Sequence, residues 1–182
     1  LEFRRVLFRS NQAMNCRTSL EVEHLLAQFR MNQQDTPLVT PRCISLDNDW
    51  NSKEEVMKGM TDNLLLAGRC RYPRKLEADL WAREAVFSTG LGFSFAIPHS
   101  KSEHIEQSTI SVARLKSPVM WGDEEAQFII MLTLNKHAAG DQHMRIFSRL
   151  ARRIMHDDFR SALVNASSEE AIASLLQHEL EL

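Results

Sequence analysis

A nucleophile on a constrained backbone stands at Ala96-Ile97-Pro98-His99-Ser100. A half-buried strand runs into a proline, and a histidine follows it directly. Proline fixes its own φ and has no N–H to donate to a ladder, so it marks the point where the strand is expected to leave the sheet, presenting His99 at the sheet's end. Neutral imidazole is nucleophilic and titrates near neutrality, which suits reversible covalent catalysis. A second histidine, His143, follows Gly140-Asp141-Gln142 in the first turn of a long helix, with Asp141 as its N-cap. The field of a helix N-terminus favours anions and disfavours imidazolium, so His143 is read as a neutral hydrogen-bond donor. Arg83, late in the helix before the His99 strand, carries a guanidinium fork that matches phosphate oxygens. Singly, each has a plainer reading: a structural or merely exposed histidine, a surface histidine, a solvated arginine.

The elements that must position these residues alternate between helix and strand. Cys43–Leu46 reads as a short strand. Ser52 and Glu55 form a capping box that opens a helix ending at Leu66, near Gly68. After Tyr72-Pro73 a second helix spans Lys75 to Val86, with Leu76, Leu80, Ala82 and Val86 turned inward. Phe93, Phe95 and Ile97 alternate with Ser94 and Ala96, which predicts a strand over Gly92–Ile97. Thr109–Leu115 reads as a further strand. Gln127–Leu134 is nearly all apolar, as in a central strand covered on both faces. A helix over Gln142–His156 and a shorter one opened by Ser167 and Glu170 follow. Helices interleaved with strands imply an α/β fold, a mixed β-sheet sandwiched between helices.

The 182 residues leave room for one ordinary domain and an appendage. With 43% hydrophobic and 25% charged residues and a net charge of -2, nothing points to nucleic acid or to a membrane surface. No apolar run approaches the roughly 20 residues of a spanning helix. Cys16, Cys43 and Cys70 are odd in number and unclustered, which argues against a disulfide framework or a zinc site and fits a reducing cytoplasm. Residues 1–10 (LEFRRVLFRS) lack a continuous apolar core and a cleavage site, and are expected to be a non-native or disordered leader. Thr18 and Glu21 open an amphipathic helix over 18–30, and the proline-containing polar stretch 31–41 reads as a linker. The domain boundary is placed near residue 40.

Other chemistry is poorly supported. Thr89-Gly90-Leu91-Gly92 precedes a strand and lacks both the third glycine of a dinucleotide loop and the lysine of a P-loop. The seven histidines include no pair at i, i+4 with a glutamate between them; His99 and His104 are five apart, so a metal-dependent hydrolase using His99, His104 and His143 stays open as a minor alternative without support. Arg145, Arg149, Arg152 and His156 form a basic stripe, read as a solvated helix face, with a docking surface for an acidic partner as the lesser reading.

Read together, Arg83-Glu84, Ser88-Thr89-Gly90-Leu91-Gly92, Ala96-Ile97-Pro98-His99 and His143 form one ordered pattern. It resembles the fructose/mannitol (type 2) enzyme IIA domains of the sugar phosphotransferase system. The likeness continues through Arg114-Leu115-Lys116-Ser117-Pro118-Val119, Trp121 and Asp158-Phe159-Arg160, and covers residues 43–180. The resemblance implies the same mixed-sheet sandwich over residues 41–182. It also implies a cytoplasmic phosphotransferase in which His99 accepts a phosphoryl group from HPr or an HPr-like domain and passes it to a cysteine of an enzyme IIB domain, working with a membrane enzyme IIC in sugar uptake. Arg83 and His143 match the residues that flank the phosphohistidine, and no metal or other cofactor is implied. The alternative is a regulatory module of the same fold, switched by phosphorylation of His99. Residues 11–30 resemble the closing helix of the enzyme I barrel, which implies that 11–40 are the remnant of a preceding domain in a fused phosphoryl-transfer protein.

Overall fold

Side chains alternate along the strands so that apolar residues emerge on both faces of one sheet, and helices close over each face. The computed structural model describes residues 37–137 and 142–182, with backbone alone at Gln142 and His143. A 3-10 turn at Pro41–Cys43 leads into β1 (Ile44–Asn48). Two helices follow, α1 (Lys53–Leu66) and α2 (Pro73–Glu84). Three short strands come next: β2 (Gly90–Gly92), β3 (Phe95–Ala96) and β4 (His99–Ser102). The long strands β5 (Thr109–Trp121) and β6 (Glu124–Asn135) precede α3 (Gln142–Ile154), α4 (Asp157–Asn165) and α5 (Glu169–Leu180).

The sheet is mixed, in the order β1-β5-β6-β3-β2, and β4 also pairs with β6. β5 and β6 are antiparallel, while β1 runs parallel to β5 and both β3 and β4 run parallel to β6. The β5–β6 turn is Gly122-Asp123, with Gly122 at φ +71°, where a Cβ would lie 2.5 Å from the Ser88 hydroxyl oxygen. Only glycine meets both conditions at that tip. Along β6, Phe128, Ile130 and Leu132 join the core under α3, α4 and α5, whereas Ala126, Ile129 and Met131 join the core under α1 and α2. This is a sheet sandwiched between helices, with both faces of its central strand buried.

Ser52 caps α1 by accepting from the Glu55 N–H, and Gly68, at φ +71°, follows that helix. Other expectations shift. The predicted strand over Gly92–Ile97 is a tight hairpin: Phe93 and Ser94 both take left-handed φ, Phe93 is exposed, and Gly92 at the end of β2 pairs back onto Phe95 at the start of β3. Ala82 and Val86 face solvent, while Glu84 is buried, because a polar network described below draws it inward. The long helix ends at Ile154 and a separate helix, α4, follows it. Ser168 caps α5 in place of its neighbour Ser167, accepting from the Ala171 N–H. The predicted helix over 18–30, the linker up to Thr36 and the Asp141 cap lie outside the described residues. Among the described residues, no helix is long and apolar enough to cross a membrane.

Candidate active site

Pro98 interrupts the sheet edge without ending it. Having no N–H, it cannot donate, but its carbonyl accepts from the Leu132 N–H at 2.9 Å, and the ladder resumes at His99 opposite Leu132. His99 is therefore not at a strand's end, as the sequence predicts, but at the start of a resumed one. It is half-buried and shares the face of Leu132, beneath α3. Its Nδ1 lies 2.9 Å from the Ile97 carbonyl oxygen. A carbonyl can only accept, so Nδ1 carries the proton and Nε2 keeps its lone pair. Arg83 Nε donates to that Nε2 at 3.1 Å, and its Nη1 donates to the Phe87 carbonyl at 3.2 Å. The Phe147 ring of α3 packs against the imidazole, with centroids 4.9 Å apart. Ring orientation, tautomer and one cationic neighbour are thus all set by protein contacts.

The arginine comes from the last turn of α2, and the residue after it anchors that turn. The Glu84 carboxylate is 3% exposed and accepts from Lys53 Nζ at 2.6 Å. It also accepts from the Thr89 N–H at 3.0 Å and the Thr89 hydroxyl at 2.6 Å. Trp121 Nε1 donates to the same threonine oxygen at 3.0 Å, and Lys53 Nζ sits 4.9 Å from the Trp121 ring centroid. Burial alone would push the Glu84 carboxyl up, yet the hydrogen bonds from Lys53 and Thr89 together hold it below its ordinary value of 4.5. The network ties the end of α2, the segment that follows it and the β5–β6 tip into one unit.

Of the three residues singled out from sequence, Arg83 and His99 are in contact. His143 has its backbone in the first turn of α3, one helical turn before Phe147 and on the same helix face; its side chain lies outside the description. His104 is elsewhere, edge-on to Tyr72, and no three ligand-type side chains among the described residues could hold a metal ion. In the basic stripe, Arg149 donates to the Leu180 carbonyl and pairs with Glu181. Lys53 and Phe147 were not legible as site residues, since no local spacing links them to His99, and Thr89 entered only as part of the Ser88–Gly92 pattern, without a partner assigned to it. The arrangement offers a neutral nucleophilic nitrogen with a fixed tautomer beside a permanent cation, which suits transfer of an anionic group.

Comparison with known proteins agrees with this chemistry. The chain is 88% identical over 172 residues to multiphosphoryl transfer protein 2 of Escherichia coli K12; that match takes in 94% of this chain and 21% of the relative, so the chain spans about a fifth of that protein's length. Among solved structures it resembles the nitrogen regulatory protein IIA-Ntr of Neisseria meningitidis, with a TM-score of 0.67, 25% identity, and coverage of 80% of this chain and 99% of that one. It also shares the fold of IIA mannitol in its complex with phosphorylated IIB mannitol from Escherichia coli, with a TM-score of 0.64, 18% identity, and coverage of 77% and 97%. Residues 37–179 match the family model for the phosphoenolpyruvate-dependent sugar phosphotransferase system, EIIA 2. The chain belongs to that family of sugar phosphotransferase IIA domains, which work through a phosphohistidine.

Proposed function

We propose that His99 is the phosphoryl carrier, receiving the group from HPr or an HPr-like domain and passing it to an enzyme IIB cysteine in the cytoplasm. The observation that carries this reading is the pair of opposed contacts on the imidazole: Nδ1 on the Ile97 carbonyl and Nε2 facing Arg83. In the forward step the Nε2 lone pair attacks phosphorus in line, the bond to the donor nitrogen breaks, and the donor imidazole departs with that electron pair. His99 retains its Nδ1 proton, and the Ile97 carbonyl stabilises it as the ring turns cationic. Arg83 gives up its bond to Nε2 and turns to the phosphoryl oxygens, neutralising charge that the donor had carried. His143, one turn before Phe147, is assigned as a second donor to those oxygens. The IIB thiolate then attacks phosphorus from the opposite side, and the Nε2–P bond breaks.

Transfer to IIB serves sugar uptake through a membrane IIC component in this reading. Residues 41–182 are the IIA domain, residues 11–40 the helix and linker of a preceding enzyme I-like domain, and residues 1–10 a leader. The high identity to a relative almost five times longer supports a multidomain parent. The regulatory alternative has one observation in its favour, the likeness to a nitrogen regulatory protein. Intact-mass analysis after incubation with phosphoenolpyruvate, enzyme I and HPr tests the proposal. One acid-labile phosphoryl group on wild type and none on His99→Ala is expected, and loss of that group on adding IIB favours relay over regulation. An equally phosphorylated His99→Ala variant rules out the assignment.

A further inference from the structure

Arg83 and His99 approach each other from opposite sides of the sheet. His99 pairs with Leu132 and shares its face, under α3. Ser102, three residues on, pairs with Asn135 and falls on the other face, the one covered by α1 and α2. Arg83 must therefore reach around β4 from α2 to find the imidazole. Leu76 and Leu80 press α2 onto its face of the sheet, but apolar contact has no direction and tolerates sliding. A directed bond does not. The Ser102 hydroxyl donates to Asp79 Oδ2 at 2.5 Å and accepts from the His104 N–H at 3.0 Å, with Ser102 itself 2% exposed.

From this geometry we infer that Asp79 and Ser102 are positioning residues for phosphoryl transfer. The two contacts, Asp79 to Ser102 and Arg83 to His99, run in opposite chain senses, so α2 lies antiparallel to β4. Asp79 is one helical turn before Arg83 on the same helix face. Their bond sets the height of α2 along β4, and that height delivers the guanidinium to Nε2. Glu84, bound to Thr89 immediately after Arg83, holds the other side. The arginine is thus bracketed by two polar ties, one to the strand that carries its target. The inference rests on the reading of Arg83 as the group that steadies phosphoryl on His99.

The test is a mutant cycle on the full chain, following phosphoryl transfer from a phosphorylated HPr donor at varied donor concentration. Asp79→Ala is expected to lower the rate constant at saturating donor on the order of tenfold, as a displacement of under an ångström does, with the half-saturating donor concentration unchanged. Asp79→Asn keeps an oxygen for Ser102 and restores most of the rate. In an Arg83→Ala background, Asp79→Ala adds no further loss. If Asp79→Ala does not fold, Ser102→Ala carries the same cycle. Full additivity with Arg83→Ala, or a folded Asp79→Ala at wild-type rate beside a slow Arg83→Ala, overturns the inference alone. A wild-type rate in Arg83→Ala overturns the underlying role of Arg83 and the inference with it.

Discussion

Removing the Glu84 carboxylate tests whether the end of α2 is held by the buried network. Glu84 is 3% exposed and Lys53 15%, so Glu84→Ala leaves an ammonium largely shielded from water together with an unpaired Thr89 N–H. Breaking a buried pair by deleting one partner costs about 3–5 kcal/mol, and the residual hydration of Lys53 argues for the lower end, about 3 kcal/mol. With a denaturant slope of about 2 kcal/mol per molar, the urea midpoint falls by about 1.5 M. Glu84→Gln keeps the shape and an acceptor for Thr89, and costs about 1–2 kcal/mol. The pH dependence has a definite sign. Because the folded-state carboxyl lies below its ordinary 4.5, its contribution is fully present above that value and is lost as pH falls through the folded pKa. The stability gap between wild type and Glu84→Gln, measured by urea unfolding, therefore narrows as pH is taken below 4.5. A Glu84→Ala midpoint within about 0.3 M of wild type, or a gap that stays constant or widens on acidification, refutes the reasoning.

Arg83→Ala removes the cation from His99 without opening a core, and is expected to slow phosphoryl transfer about a hundredfold while leaving the urea midpoint nearly unchanged; stopped-time phosphorylation and unfolding curves check the two halves. Gly122→Ala forces a Cβ into left-handed backbone and to within 2.5 Å of the Ser88 hydroxyl oxygen, so a loss of about 2 kcal/mol is expected. Ser88→Ala in the same chain should recover part of that loss in thermal unfolding.

Much of the sandwich was legible because its signals are local. The Ser52–Glu55 cap and the continuous apolar run in β6 need only neighbouring residues to be read. What escaped depends on distant partners. Ala82 and Val86 read as inward-facing, but Lys53, 31 residues before Glu84, and Thr89 draw Glu84 inward in their place. The hairpin at Phe93-Ser94 uses left-handed φ without glycine at either position, so alternation there mimics a strand. Helix α4 opens at Asp157 after an N-cap, His156, that makes no side-chain cap bond, so it lacks the capping signal that marks α1 and leaves only two first-turn aspartates to be read. At the site, Arg83 and His99 were found as an ordered pattern of residues. The Ile97 carbonyl that sets the tautomer and the Phe147 ring that flanks it emerge only from tertiary geometry.

The central claim is that Nε2 of His99 is the nucleophile, with Nδ1 held by the Ile97 carbonyl. Nitrogen-15 NMR of imidazole-labelled protein, recorded before and after phosphorylation, addresses it directly. The account predicts a single Nε2-phosphohistidine at residue 99 with the proton on Nδ1 in both states. A phosphoryl group on Nδ1, or on another residue with His99 unmodified, would contradict it.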